Sequence, residues 1–222
     1  MPLPPRVCHA AVILYLHGFA SSPQSSKAAF LARKLAERGL TLRVPDFNEP
    51  DFSTLTVTRM IDQVWRVVDE GPPEPVTVIG SSLGGFVAVN AAVQRPERVD
   101  RLVLLAPALD FGDSSIGEPE RETITVFHYG HGRTMPVHYA LYEDARRYDA
   151  FNADVRMPVL VFQGRRDDAV DPHSVERWCR QRPNVELHMI DDNHQLTASL
   201  PRIWEVTSRF LDIAPQSPAA PS

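Results

Sequence analysis

Short apolar runs alternate with amphipathic segments along most of the chain. Runs rich in β-branched and other apolar residues predict buried strands, and apolar residues that recur every three or four positions predict helices packed by one face. Gly39 and the sequence GPPEP interrupt this pattern after the first and second helices. The predicted strands cover 11–16, 40–45, 76–80, 101–107, 158–164 and 185–190, and the predicted helices lie within 21–39, 54–70, 83–95, 172–181 and 200–212.

Six strands that alternate with helices are typical of the α/β class. They predict a mainly parallel sheet with helices on both faces, joined by right-handed crossovers. Residues 110–157 depart from the alternation, with a short β-like run (Thr123–Phe127), a turn rich in His and Gly, and a helix near 138–148. We expect one domain over residues 1–213, with this segment as a small cap-like insertion over one sheet edge, and a disordered Pro-, Ala- and Ser-rich tail at 214–222.

Composition and charge narrow the functional classes. A chain of 222 residues that is 43% hydrophobic can bury the core of one such domain. Its net charge of −5 gives no reason to expect a nucleic-acid or membrane partner. Cys8 and Cys179 are far apart in sequence and are expected to be free thiols in a reducing compartment. The apolar run 10–16 is too short to span a membrane and lacks a cleavage site, so a cytoplasmic protein is predicted.

The sequence VTVIGSSLGGFVAV (76–89) places two serines and three glycines between a predicted strand and a predicted helix. Gly80, Ser82 and Gly84 form a G-x-S-x-G pattern, and this strand-to-helix setting is the one that a nucleophile elbow requires. Ser82 is therefore the predicted nucleophile, and the backbone amide of Leu83 is a predicted oxyanion donor. The alternatives are a glycine-lined packing contact and a phosphate-binding turn, and for the latter the chain has neither G-K-[ST] nor G-x-G-x-x-G.

A serine nucleophile needs a base and an orienting acid. Ligands of open α/β sheets bind beyond the carboxyl ends of the strands, so only residues that directly follow a strand qualify. His194 follows the last predicted strand and is the best base, and Asp167 follows the fifth strand of the alternation and is the favoured acid. The alternative histidines for the base are His9, His17, His173 and His188. The alternative carboxylates for the acid are Asp110, Asp168, Asp171, Asp191 and Asp192.

A second oxyanion donor is expected from the loop after the first strand. The sequence LHGFASSP offers the backbone amide of Phe19, and Gly18 lets the chain pass close to the nucleophile. Four elements that are distant in sequence are thus predicted to meet at one edge of one sheet.

With these residues identified, the chain resembles the α/β-hydrolase superfamily and, within it, the small YqiA-type esterases of bacteria. The resemblance is carried by LYLHGFASSPQSSKA (14–28) and VIGSSLGG (78–85), and it extends as strand–helix alternation over roughly 11–210. It implies an α/β-hydrolase fold. It also implies a triad in which Ser82 is the nucleophile, Asp167 the acid and His194 the base. The same resemblance implies an oxyanion hole formed by the backbone amides of Phe19 and Leu83.

The expected activity is hydrolysis of small soluble carboxylic esters through an acyl-enzyme, with no metal or cofactor. The insertion is the expected substrate wall, and the residues expected to contact substrate are Phe19, His128, Tyr129 and Tyr139. The alternative for the aromatic residues is a cap that packs them on the sheet edge. His128 and His131 are three residues apart and could bind a metal, but no acidic cluster is spaced to complete such a site. Thioesterase or peptidase activity, a metal-dependent hydrolase and a non-catalytic binding module remain alternatives, and the sequence does not predict an oligomeric state.

Overall fold

The computed structural model describes residues 12–113 and 122–213. The predictions for the first eleven residues and for the tail at 214–222 lie outside these described residues. The described strands are β1 (Ile13–Leu16), β2 (Leu42–Arg43), β3 (Val76–Ser81), β4 (Val99–Leu105), β5 (Thr123–His128), β6 (Arg133–His138), β7 (Val159–Gly164) and β8 (Val185–Ile190). The described α-helices are α1 (Ser26–Ala36), α2 (Val57–Asp69), α3 (Leu83–Gln94), α4 (Ala140–Ala145), α5 (Pro172–Arg180) and α6 (Leu200–Phe210).

Six strands form one sheet in the order β2-β1-β3-β4-β7-β8, and every neighbouring pair is parallel. This confirms the predicted α/β class and its mainly parallel sheet. The chain leaves β1 toward one edge to form β2 and then returns to the other side of β1 to form β3. The strand order therefore reverses between β1 and β3, and a crevice opens beyond the carboxyl ends of strands at such a point.

Two apolar clusters cover the two faces of the sheet. Phe86 and Trp178, from α3 and α5, belong to one cluster, and Leu31 and Ile203, from α1 and α6, belong to the other. Helices thus lie on both faces, which explains why β3 and β7 are buried at every position. In the described part of the chain, no helix has both the length and the apolar character needed to cross a bilayer.

The insertion differs from its predicted form. β5 and β6 pair as an antiparallel hairpin, whereas the sequence indicated one strand over 123–127 and a helix from about 138. The β6 sequence RTMPVH contains a proline and an exposed arginine, and it has no clear alternation of apolar and polar residues. Pairing with β5 therefore creates this strand, and local preference does not. The helix that follows, α4, is shorter than predicted.

A partly buried carboxylate, with its side chain 13% exposed, ties the insertion to the main fold. Asp144, on α4, accepts hydrogen bonds from the backbone nitrogen of Thr58 at 2.6 Å and from its hydroxyl at 2.7 Å. Thr58 lies in the first turn of α2, where unpaired amides and the helix dipole favour a negative charge. The Thr58 hydroxyl also lies 2.7 Å from the Tyr148 hydroxyl. Asp144 thus stabilises the start of α2 and the docking of the insertion together.

We expect Asp144→Ala to lower the free energy of unfolding by about 1–3 kcal/mol, because the Thr58 donors lose a charged acceptor. Asp154→Ala is the matched control, since Asp154 pairs with Arg156 in a bridge whose side chains are 73% and 77% exposed. Its effect should stay within about 0.5 kcal/mol. Urea denaturation measures both values, and equal losses would contradict the anchoring role of Asp144.

Candidate active site

The turn between β3 and α3 holds Ser82 in an unusual backbone conformation. Its φ of 54° and ψ of −122° lie in a region that L residues rarely adopt. Four hydrogen bonds hold this conformation: the Ser82 amide donates to Leu105 O at 3.0 Å, and the Ser82 carbonyl accepts from the amides of Gly85 at 2.8 Å, Ala108 at 3.2 Å and Phe86 at 3.3 Å. The end of β4 and the loop after it therefore keep the strained turn in place.

The glycines of the turn allow backbones to approach closely. A Cβ atom on Gly84 would lie 2.1 Å from Leu16 O, and one on Gly80 would lie 2.5 Å from Gly84 O. Both positions exclude any side chain, so the start of α3 can pack against the ends of β1 and β3. The two glycines of the G-x-S-x-G pattern therefore stand where neighbouring backbones come closest.

The structure brings together the three side chains of the predicted triad. His194 Nε2 lies 3.0 Å from Ser82 Oγ, and His194 Nδ1 lies 2.9 Å from Asp167 Oδ2 and 3.1 Å from Oδ1. His194 is in the loop after β8, and Asp167 is in the loop after β7. The distances suit a neutral imidazole whose Nδ1–H donates to Asp167 and whose Nε2 accepts from the serine hydroxyl.

The Asp167 carboxylate has no exposed area and is surrounded by donors. Oδ1 accepts from the amides of Ala169 at 3.0 Å and Val170 at 2.9 Å, and Oδ2 accepts from Gln163 Nε2 at 2.8 Å. Burial by itself raises the pKa of Asp167, but the hydrogen bonds from His194 and from the two amides outweigh it and lower the pKa. The carboxylate is therefore ionised at neutral pH, as an orienting acid requires.

Gln163 is a supporting residue that the sequence did not predict. It lies on β7, has no exposed area, and donates to Asp167. Its Oε1 atom is buried without a hydrogen-bond partner among the described residues, so the amide contributes here only as a donor. The one signal in the sequence was a polar residue near the end of the apolar run PVLVFQG.

The other histidines weighed as the base make no hydrogen bond to Ser82 where the structure describes them, and His9 is outside the described residues. His17 is buried, its Nε2 accepts from the Phe47 amide at 3.0 Å, and its Nδ1 lies 2.9 Å from Gly18 O. It thus shapes the loop after β1. The side chain of His173 is 89% exposed at the start of α5, and His188 pairs with a glutamate beside it on β8.

The alternative carboxylates also have other partners. Asp110 accepts from the Ser174 hydroxyl at 3.3 Å, Asp171 caps α5, and Asp192 accepts from two amides of its own loop. Asp168 lines the open cleft in front of Ser82, and the imidazole of His194 bonds instead to the carboxylate of Asp167.

An open cleft of about 840 Å³ lies in front of Ser82. Of the four expected substrate contacts, Phe19 and Tyr129 line this cleft. His128 and Tyr139 do not, which corrects that part of the prediction. His128 has no exposed area and lies 3.0 Å from Asn48 Oδ1, and Tyr139 is buried. Aromatic residues in the insertion therefore divide between the cleft and internal packing.

Most of the other residues that line the cleft have polar side chains. It is formed mainly by the segment between β1 and α1, the end of β3 and the loops after β7 and β8. The sequence SSPQSSK was the signal for this polar wall. The lining residues besides Phe19, Tyr129 and Ser82 are Tyr15, Gly18, Ser21, Ser22, Gln24, Ser25, Ser26, Lys27, Ser81, Gly130, Asp168, Ala169, Asn193, His194 and Gln195.

The two amides predicted as oxyanion donors flank Ser82. Leu83 follows it as the first residue of α3, and Phe19 lies in the loop after β1. That loop passes directly over the serine, because a Cβ atom on Gly18 would lie 3.2 Å from Ser82 Cβ. Within residues 12–113 and 122–213, neither amide has a protein acceptor, so both can donate to a bound group.

The described residues contain no group of three His, Cys, Asp or Glu side chains that could hold a metal ion. The rings of His128 and His131 are 4.3 Å apart, with His128 Nδ1 accepting from the His131 amide. This pair is part of the hairpin's internal packing.

A family model described as an uncharacterised protein family, UPF0227, matches residues 12–210. The chain belongs to this family. This UPF0227 protein is also 24% identical over 179 residues to the bovine mitochondrial palmitoyl-protein thioesterase ABHD10, a match that covers 73% of the chain and 58% of the relative's own length. It is 33% identical over 92 residues to the lipase LipV of Mycobacterium tuberculosis, with 40% and 34% of the two chains covered.

Solved structures share the fold of the UPF0227 chain. Est1E from Butyrivibrio proteoclasticus with bound ferulic acid has a TM-score of 0.78 at 19% identity, covering 95% of this chain and 92% of that one. Mouse α/β hydrolase domain-containing protein 10 has a TM-score of 0.76 at 21% identity, covering 90% and 89%. Together with the family match, these likenesses confirm that the chain is a YqiA-like member of the α/β-hydrolase superfamily.

The strain at Ser82 can be measured through glycine and alanine variants. We expect Ser82→Gly to be more stable than Ser82→Ala by about 1–2 kcal/mol, because only glycine adopts this φ and ψ without steric cost. Ser81, inside β3, provides the control, and there the alanine variant should be the more stable one. Urea denaturation of the four variants gives the comparison, and the same order at both positions would contradict the strained turn.

Proposed function

We propose that this protein is a serine hydrolase that cleaves small carboxylic esters through an acyl-enzyme on Ser82. The observation that carries the proposal is the continuous path of hydrogen-bond distances from Ser82 Oγ through His194 to the buried carboxylate of Asp167. Hydrolysis of acyl bonds is also supported by the relatives, which include a thioesterase and a lipase by name.

In the acylation step, Ser82 Oγ attacks the ester carbonyl carbon while His194 Nε2 takes the hydroxyl proton. The new bond between Oγ and carbon moves the carbonyl electron pair onto oxygen. The amides of Phe19 and Leu83 donate hydrogen bonds to this oxyanion. Asp167 holds the imidazole in the required orientation and stabilises the imidazolium.

Collapse of the tetrahedral intermediate breaks the bond to the leaving oxygen. His194 gives its proton to that oxygen, and the alcohol departs from the acyl-enzyme. Water then attacks the acyl carbon with His194 again as base, and proton return to Ser82 Oγ releases the carboxylic acid.

The shape and polarity of the cleft favour small, water-soluble substrates. Its wall combines hydroxyl, amide and charged side chains with the aromatic surfaces of Phe19 and Tyr129. A long acyl chain would cover those polar groups without giving them hydrogen-bond partners, which would make its binding free energy less favourable. A thioester is the second candidate substrate, because the matched bovine relative is a thioesterase by name and the acyl-enzyme steps are shared.

We expect Ser82→Ala to lower kcat for p-nitrophenyl butyrate by about 10⁴-fold, since the nucleophile is lost. A fluorophosphonate probe should label the wild type on Ser82 and leave Ser82→Ala unlabelled. The control is Ser208→Ala, on the exposed side of α6, which should label and turn over like the wild type. A wild type that neither reacts with the probe nor hydrolyses the ester would favour a non-catalytic binding module.

Asparagine variants test the choice of acid. Asp167→Asn should lower kcat by about 10⁴-fold, because the amide favours the wrong imidazole tautomer. Asp110→Asn is the matched control, because Asp110 bonds to Ser174 and has no contact with the imidazole. Its kcat should stay within about threefold of the wild-type value, an effect below roughly 1 kcal/mol. The reverse order of effects would move the acid to Asp110.

A further inference from the structure

The chain has two lysines among its 23 basic residues, and one of them lines the cleft. Lys27, in the first turn of α1, is only 7% exposed. Lys34, on the same helix, pairs with Glu37 at 2.9 Å outside the cleft. Lysine is among the residue types that are least often buried without a partner, so the burial of Lys27 at the cleft points to a role for its charge.

The ammonium group of Lys27 has hydrogen-bonding capacity to spare. Lys27 Nζ donates to Gln195 O at 3.1 Å, and Gln195 itself lines the cleft. An ammonium carries three donors. The part of the chain that the structure describes provides no second acceptor and no carboxylate oxygen within 4.0 Å, so two donors remain for a ligand.

The carboxylates that act electrostatically on Lys27 are committed elsewhere. Asp167 accepts from His194, Gln163 and two amides, and Asp192 accepts from two amides of its own loop. Burial lowers the pKa of Lys27 to about 8, although these two carboxylates act to raise it. At pH 7 the cleft therefore contains a mostly protonated ammonium group without a contacting counterion.

We propose that Lys27 forms an anion subsite that binds a carboxylate or phosphate group of the substrate, an inference that rests on the proposed hydrolase function. The surroundings suit an anion. Ser22, Ser25 and Ser26 contribute hydroxyl groups to the same wall, and α1 has no acidic residue in its first turn. Asp168, on the opposite loop after β7, is the carboxylate that lines the cleft among the described residues.

Two pairs of substrates test this subsite at pH 7. p-Nitrophenyl hemisuccinate and p-nitrophenyl butyrate share a leaving group and differ by a carboxylate at the end of the acyl chain. Acetyl-coenzyme A and S-acetyl-N-acetylcysteamine share the acyl group, and their thiols differ because coenzyme A carries in addition the rest of pantetheine and a phosphorylated adenosine, whose phosphates are its only anionic groups. If the kcat/KM ratio of the first pair changes in a Lys27 variant, the anion lies on the acyl side of the scissile bond. If the ratio of the second pair changes, the anion lies on the leaving-group side.

In Lys27→Met, the ratio of kcat/KM for the anionic over the neutral member of the responding pair should fall at least about tenfold, as expected when a charged hydrogen bond is lost. Lys27→Arg should keep most of the preference, because it keeps the charge. Lys34→Met removes the same charge from the outer part of α1 and should leave both ratios unchanged. Thermal unfolding of each variant checks that the fold is retained.

Binding without turnover provides a second readout. Calorimetry with glutarate and with coenzyme A should detect binding of one of them to the wild type and at least tenfold weaker binding to Lys27→Met. If Lys27→Met lowers kcat/KM equally for both members of each pair and neither anion binds, the subsite is refuted and Lys27 only anchors the Gln195 loop. The proposed function would stand in that case. It would fall separately if the wild type showed no esterase activity and no probe labelling.

Discussion

The first turn of α3 packs directly onto the end of β1, at a point where Gly84 would overlap Leu16 O if it carried any side chain. This contact fixes the direction in which Ser82 leaves β3. The serine amide donates to Leu105 O and the serine carbonyl accepts from the Ala108 amide, and these hydrogen bonds hold it there. The strained conformation at Ser82 is thus stabilised by three parallel strands and the loop after β4. A change in the register of any of these strands would move the hydroxyl away from the imidazole.

The acid and the base depend on the same sheet. β7 and β8 are the last two strands in the order, and their loops carry Asp167 and His194 back over the carboxyl edge toward Ser82. Such loops are free to move unless something binds them. Asp167 restrains its own loop because its carboxylate accepts hydrogen bonds from the amides of Ala169 and Val170. Gln163, on β7, donates to the same carboxylate and so connects the loop to the strand. The groups that orient the imidazole therefore also make the loop rigid.

The sequence predicted the strands that are buried on both faces, because a short and continuous apolar run such as the one in β3 is typical of a strand in a parallel sheet. It also predicted Ser82, Asp167 and His194, because each follows a strand directly. The sequence did not predict the hairpin strand β6. Pro136 and an arginine interrupt the residue pattern that is typical of a strand, and β6 forms by pairing with β5. The placement of His128 depended on which side of the hairpin packs inward, and a run of aromatic residues does not contain that information.

Lys27 and Lys34 are a second case in which the sequence pattern does not predict the environment of a side chain. They are seven residues apart, nearly two full helical turns, so they lie on almost the same face of α1. Helical periodicity alone therefore assigns both to the same environment. The structure separates them because Lys27 donates to Gln195 O in the loop after β8, whereas Lys34 pairs with Glu37 on its own helix. Two identical side chains on one helix thus acquire different chemistry from an element almost 170 residues away, and the loop that supplies the proposed base also accepts a hydrogen bond from the proposed anion-binding group.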